Sequence, residues 1–175
     1  MAATYRVAAP GIIWAVNKNI LAIYNGAGSG KIVRVYRVWM FNGYTASVTG
    51  ILFRVSLGRF TGAPTGGSAA GVYKHDSASA AVPAQVTSTT ASTVITITDV
   101  FRRILWSSDE AAPSLFTMDE WELFPALMCI WDAGYSDTNI EPITLRETYG
   151  LVVQVSADAG THVSSVDTYA EMTIT

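Results

Sequence analysis

The stretch that most restricts the fold is Lys31–Phe41, KIVRVYRVWMF, entered from the glycine-rich turn Asn25–Gly30. It is rich in β-branched and aromatic side chains. These lose χ1 freedom in a helix and suit a pleated strand instead. In extended form one face carries Val33, Val35, Trp39 and Phe41 with Arg37, and the other carries Ile32, Tyr36, Val38 and Met40 with Arg34. Both faces are largely apolar. An antiparallel strand with one wet face alternates apolar with polar. This strand is therefore expected deep in a sheet, covered on both sides by a second sheet, a partner subunit, or both.

Charge supports the same expectation. Half of the 175 residues are hydrophobic and only 14% are charged, against a usual charged share of about 25%. Outer faces made of Ser, Thr, Ala, Gly and aromatics suit contact with other subunits better than life as a free monomer. A homotrimer or another tight homo-oligomer is expected. The net charge is −3 and the basic residues are scattered, with no run of the kind that tracks a phosphate backbone, so no nucleic-acid partner is expected. No apolar run reaches the ~20 residues of a bilayer-spanning helix. The first residues, MAATYRVAAPGIIWAV, lack the charged start and uninterrupted apolar core of a signal peptide. The expectation is no membrane contact, and synthesis in a cytoplasm, where the protein stays or which it leaves inside a larger particle.

Along the chain, Ala2–Pro10 reads as an extended arm, loose unless docked, with Pro10-Gly11 as a break. Ile12–Val16 and Ile20–Tyr24 make two short strands, or one with a bulge. Gly50–Phe60 alternates, with Ile51, Phe53, Val55 and Leu57 on one face, and makes a plausible antiparallel pair with Lys31–Phe41. Thr61–Thr93 is dominated by Gly, Ala, Ser and Thr. It is expected to be a surface excursion, with at most one short strand at Val72–His75. Val94–Trp106, Leu127–Trp131, Pro142–Arg146, Leu151–Ser156 and Val163–Ile174 complete the strands. In the last, Val166, Ala170, Met172 and Ile174 face one way, and Asp167, Tyr169, Glu171 and Thr173 the other. Eight or nine strands separated by turn residues, without an amphipathic helix, predict a single all-β domain over 1–175. Its form is a two-sheet antiparallel β-sandwich, with a jelly roll as the preferred topology.

Chemistry is sparse. Asn25–Lys31, NGAGSGK, has the glycines of a phosphate loop, but Ile32 stands where a magnesium-holding Ser or Thr is needed, so a hairpin turn is expected. The two histidines, His75 and His162, lie far apart, and no Gly-x-Ser-x-Gly elbow accompanies the pair His75-Asp76. Acids gather at Asp109-Glu110, at Asp119-Glu120 with Glu122, and along Asp132–Glu141. Asp132, Asp137 and Glu141 offer the hard oxygens calcium takes, but at no EF-hand spacing. Pairing of these acids with Arg102, Arg103 and Arg146 is the plainer expectation. Cys129, the one cysteine, sits among Met128, Ile130 and Trp131, where a buried, inert thiol is expected. The five tryptophans, Trp14, Trp39, Trp106, Trp121 and Trp131, fall mostly within apolar strand patterns, which favours packing over a sugar-stacking platform. No catalytic residue, cofactor or metal is expected.

Four stretches carry a resemblance: Asn17–Phe41, Phe101–Glu110 (FRRILWSSDE), Met128–Asp137 (MCIWDAGYSD) and Glu141–Val155 (EPITLRETYGLVVQV). They resemble small structural proteins encoded near the head genes of tailed bacteriophages. The last stretch is similar to the closing strands of jelly-roll phage proteins, where a Pro-x-x-Leu-Arg-x-x-x-Gly segment leads into an apolar strand. The resemblance implies a capsid decoration protein, also called a cement or auxiliary head protein. Such a protein is a β-sandwich, commonly trimeric, that binds the major capsid protein on the outer shell in many copies and stabilises it without catalysis. Its location would be the virion surface. The competing expectation is a receptor- or glycan-binding β-domain of a tail fibre or other appendage.

Overall fold

The computed structural model describes residues 3–13, 15, 17–42, 52–107, 129–133, 140–157 and 165–175. They form twelve strands: β1 (Ala3–Ile13), β2 (Asn19–Asn25), β3 (Val33–Asn42), β4 (Leu52–Thr61), β5 (Ser68–Ala69), β6 (Gly71–Lys74), β7 (Val86–Thr90), β8 (Asp99–Ser107), β9 (Cys129–Asp132), β10 (Ile143–Leu145), β11 (Tyr149–Ala157) and β12 (Ser165–Ile174). The first sheet has the order β10-β3-β12-β1-β6, with β9 also pairing β3; the second runs β5-β7-β2-β11-β4-β8. The pairings nest: β1 with β12, β2 with β11, β3 with β10, and β4 with β8, all antiparallel. A long hairpin folded over on itself gives this order, and it is the strand order of a jelly roll.

Nesting separates consecutive strands. β3 and β4 lie in opposite sheets, so the antiparallel pair expected of Lys31–Phe41 and Gly50–Phe60 does not form. Likewise Gly26–Lys31 links β2 to β3 across the sandwich and closes no hairpin. Side chains such as Val7, Val35, Leu57, Val153 and Met172 meet between the sheets as the main core.

The strands covered on both faces are β2 and β11. All seven residues of β2 are buried, as are Leu151 to Val155. The second cover comes from the chain itself. Residues 91–98, expected in part as strand, run as a strap over the outer face of the second sheet. There Ile95 and Ile97 pack on Ala22, Tyr24, Phe60 and Val152. Asn19 and Gln154 anchor the strap from below. The Asn19 amide donates to Ser92 Oγ (3.1 Å) and to the Thr93 carbonyl, and Gln154 Nε2 donates to Asn19 Oδ1 (2.7 Å) and the Ile95 carbonyl (2.9 Å). Buried amides are tolerable because they are hydrogen-bonded in this way.

In β3 the inward residues are Val33 and Val35, then Val38 and Met40. The change of phase is a β-bulge: Met172 lies opposite Val35 and Glu171 opposite Arg37, which leaves Tyr36 as the extra residue. The bulge thus brings Val38 and Met40 onto the core face with Val33 and Val35, while on the other face Trp39 and Phe41 are half-buried and Tyr36 and Arg37 exposed, so β3 is not covered on both sides as its pattern predicted.

Two regions differ from the sequence reading. The arm expected at Ala2–Pro10 is, over residues 3–10, an interior strand between β12 and β6, with Tyr5, Val7 and Ala9 pointing inward. Pro10 falls at a bulge between Ala9 and Ile12, where Gly11 takes φ +67°, so its missing N–H costs no ladder bond. The excursion expected at Thr61–Thr93 carries β5, β6 and β7, which extend both sheets beyond β1 and β2. In β7 the inward side chains are Val86, Ser88 and Thr90. The two hydroxyls donate to the carbonyls of Ala70 and Ser68, which lets polar residues occupy inward positions.

Candidate functional site

The outer face of the first sheet is organised by register. Arg6 of β1 lies opposite Glu171 of β12, Glu171 opposite Arg37 of β3, and Arg37 opposite Asp132 of β9. Adjacent outward positions in neighbouring strands sit within side-chain reach, so four distant segments form one row of alternating charge. Arg37 Nε pairs with Asp132 Oδ2 at 3.1 Å. Glu171 is shared: Arg6 approaches it at 3.5 Å, Arg37 at 3.9 Å and His75, just past β6, at 4.0 Å. The acids are the recessed members. Arg6 is 50% exposed and Arg37 44%, against 18% for Glu171 and 11% for Asp132. What the row shows to solvent is mainly positive.

Beside the charges stands an aromatic group. Tyr169 lies opposite Trp39 across β12 and β3, and Phe41 meets Tyr169 edge-on at 6.0 Å between centroids. The Arg37 guanidinium stands 5.9 Å from the Trp39 ring centre. Arg6, Trp39, Phe41 and Tyr169 together line a groove of about 340 Å³. Beyond the groove along β12, opposite Phe41, Asp167 accepts the Gly11 N–H at 2.7 Å and, at 3.5 Å, the Tyr169 hydroxyl. Burial, and then the Asp167 carboxylate, push the Tyr169 phenol above its ordinary range, so it stays a neutral donor. Across the charge row a second hollow of about 290 Å³ is lined by Thr4, Tyr36, Arg37, Asp132, Glu171 and Thr173.

The structure places the residues singled out by sequence as follows. His75 joins the row at its β6 end. Asp132 pairs with Arg37 and not with the arginines expected; Arg102 donates to the Ile130 carbonyl at 3.2 Å. Glu141 is exposed. His162, Asp137, Trp14, Trp121 and the acids at 109–110 and 119–122 lie outside the described residues, as does the Trp106 side chain. Among the described residues no three His, Cys, Asp or Glu side chains come together as a metal would need. Cys129 is half-buried rather than buried. Its thiol is pushed above its ordinary range by burial first and by the Asp132 charge second, and Sγ contacts the Trp131 carbonyl at 3.2 Å. The glycine loop is filled from within: Gly28 and Gly30 N–H groups donate to the two carboxylate oxygens of Glu147 at 3.1 and 2.7 Å. An internal carboxylate thus takes the place that an anion would hold in such a nest.

Sequence reasoning missed Arg6, Arg37 and Tyr169 as a group. Their only shared signal is strand register, which joins positions more than a hundred residues apart. Comparison with protein-family models, with curated proteins and with solved structures finds no match to this chain.

Proposed function

We propose that this protein is a structural component of a tailed-phage virion. In this reading it self-associates, binds the outer surface of the assembled capsid in many copies and reinforces it without catalysis. The resemblance of Asn17–Phe41 and Glu141–Val155 to phage head proteins supplies the shell. The observation that carries the self-association is β8. This nine-residue strand ends the second sheet, and among the described residues nothing pairs with its outer edge. It leaves Leu105 71% and Val100 44% exposed. A long edge with exposed apolar side chains is a template for pairing with another chain. Residues 3–10 are built into the first sheet, so the arm is not offered as the shell contact; one end of the sandwich is.

Purified protein mixed with undecorated shells from its own phage should co-sediment at a fixed copy number and bind unassembled capsid protein weakly. Its mass by light scattering should be a multiple of 18.7 kDa. Leu105→Lys should shift that mass to the single-chain value. Avidity would then fall, and shell binding should weaken on the order of a hundredfold. A wild-type monomer, or shells that pellet without the protein, overturns the reading.

A further inference from the structure

We propose that the groove between Arg6 and the Trp39–Phe41–Tyr169 group is a saccharide site selective for a sugar ring that carries a carboxylate. The site stands on side-chain geometry and does not rest on the shell-binding role.

Three features converge on this ligand. The first is the aromatic wall. A pyranose has a flat face of C–H groups that stacks on an aromatic ring, and Trp39, Tyr169 and Phe41 present ring surface along one side of the groove. Its volume of about 340 Å³ lies at the small end for ligand sites, which suits one ring with its substituents.

The second is the balance of accessible charge. Arg6 is half exposed, and its partner Glu171 is recessed, 3.5 Å away and shared with Arg37 and His75. Arg37 has Asp132 as its nearer partner, and Arg6 meets Glu171 through one terminal nitrogen at 3.5 Å, so the other N–H groups of its half-exposed guanidinium can take a second, more accessible carboxylate. The planar fork of arginine matches that group with two parallel hydrogen bonds.

The third is polarity along the groove. Asp167 does not line the groove but stands two residues from Tyr169 on β12, on the side away from Glu171 and Arg6, and accepts the Tyr169 hydroxyl. An anion at that end of the groove would be repelled by Asp167, whereas sugar hydroxyls would not. A ring with a carboxylate at one end and hydroxyls at the other is thereby oriented: carboxylate on Arg6, hydroxyls toward Asp167, apolar face on the rings. Neutral sugars satisfy only part of this set. The chemistry is shared by uronic acids and sialic acids, and the experiment separates them.

The full chain, labelled with nitrogen-15, is titrated with a uronic-acid trisaccharide, a sialylated trisaccharide and a neutral hexose trisaccharide. The indole N–H signal of Trp39 is assigned by its loss in Trp39→Phe. At least one acidic sugar should shift that signal saturably and bind about tenfold or more tightly than the neutral one. Arg6→Gln, on a half-exposed side chain, should leave the melting temperature near wild type and abolish the preference for acid over neutral. Uronic-acid binding alone or sialic-acid binding alone each supports the proposal and names the source. No acidic sugar shifting the Trp39 signal at millimolar concentration overturns it. So do equal affinities for acidic and neutral sugars, or an acid preference that survives Arg6→Gln. Loss of shell binding in the earlier assay with intact sugar binding would leave this site standing, and the reverse result would remove it alone.

Discussion

Gly150→Ala tests the packing of the second sheet at its centre. Gly150 of β11 lies opposite Tyr24 of β2 on one side and Phe60 of β4 on the other. The two aromatic rings stack across it, 6.0 Å between centroids and 21° from parallel. A Cβ added to Gly150 would fall inside van der Waals contact of the Phe60 ring, and 2.7 Å from the Ile23 carbonyl oxygen. The carbonyl belongs to the β2–β11 ladder and cannot retreat. Phe60 is 1% exposed beneath the strap, so its ring can move only by displacing Ile95 or Ile97.

Overpacking a filled site costs about 1–3 kcal/mol. Losing the aromatic pair adds about 1 kcal/mol. Replacing a strand glycine returns roughly 0.5–1 kcal/mol through the unfolded chain. The net expectation is a loss of about 2 kcal/mol, which for a domain of this size lowers Tm by roughly 4–8 °C. Scanning calorimetry measures it. Phe60→Leu removes the ring that the new methyl strikes. Gly150→Ala with Phe60→Leu should therefore cost clearly less than the two single changes added together. A Tm within about 2 °C of wild type for Gly150→Ala, or strict additivity in the double variant, would refute the stacking account.

Gln154→Ala leaves Asn19 Oδ1 and the Ile95 carbonyl without their shared donor. It should cost about 2 kcal/mol in guanidinium unfolding, with faster amide exchange at Thr93 and Thr98 as the strap loosens. Thr148 holds φ +68°, a conformation hostile to a β-branched residue, while its N–H donates to the Asn25 carbonyl at 2.7 Å. Thr148→Gly keeps that bond and relieves the strain, so it should leave Tm unchanged or raise it by a few degrees, against the usual direction of substitutions to glycine. The Cys129 thiol holds its proton more tightly in the folded chain than in the unfolded one. Iodoacetamide at pH 8 should therefore label the native protein more slowly than the unfolded chain. Stability tied to this group is complete below the ordinary thiol range, near pH 8.5, and is lost as pH rises through the raised value. Cys129→Ser should flatten that alkaline decline.

The sequence made most of the architecture legible wherever burial and alternation coincide. In β12 every second residue from Val166 to Ile174 is buried, and the pattern could be read directly. It failed where polar or small residues do the work of apolar ones. β7 buries Ser88 and Thr90 because neighbouring carbonyls accept their hydroxyl protons, and hydropathy carries no trace of that. β1 hides behind Ala8, Ala9 and Pro10, whose short side chains and bulge blur an alternation that Tyr5 and Val7 begin. Residues 94–98 have the β-branched content of a strand, yet Ile95 and Ile97 are drawn onto an already formed sheet face. The charge row was illegible for a different reason. Arg6, Arg37, Asp132 and Glu171 are ordinary surface residues one at a time, and only nested pairing brings them into line.

That line depends on one residue. From Val33 and Val35 onward, strict alternation would point Arg37 inward and Val38 outward. The extra residue at Tyr36 reverses the phase, so Arg37 emerges opposite Glu171 while Val38 and Met40 return to the core. Deleting Tyr36 therefore has an unusual expected outcome. Removing one residue from a central strand normally flips every side chain beyond it to the wrong face. Here the shortened run Val33-Arg34-Val35-Arg37-Val38-Trp39-Met40 alternates regularly, and each residue keeps the face and the partner it already has in β12, β9 and β10. The losses are the bulge's local twist and the bond from the Ala133 N–H to the Tyr36 carbonyl at 2.8 Å. Those amount to about 1–2 kcal/mol, or a fall in Tm of roughly 2–8 °C, with a cooperative transition retained. Deletion of Val38 on the same strand can be absorbed by the bulge only with Arg37 turned inward opposite the buried Ala170, an unpaired charge in the core, and should leave the chain unfolded. If circular dichroism shows the Tyr36 deletion to be unfolded too, the bulge is not what sets the phase of this strand, and the register that builds the charge row has another origin.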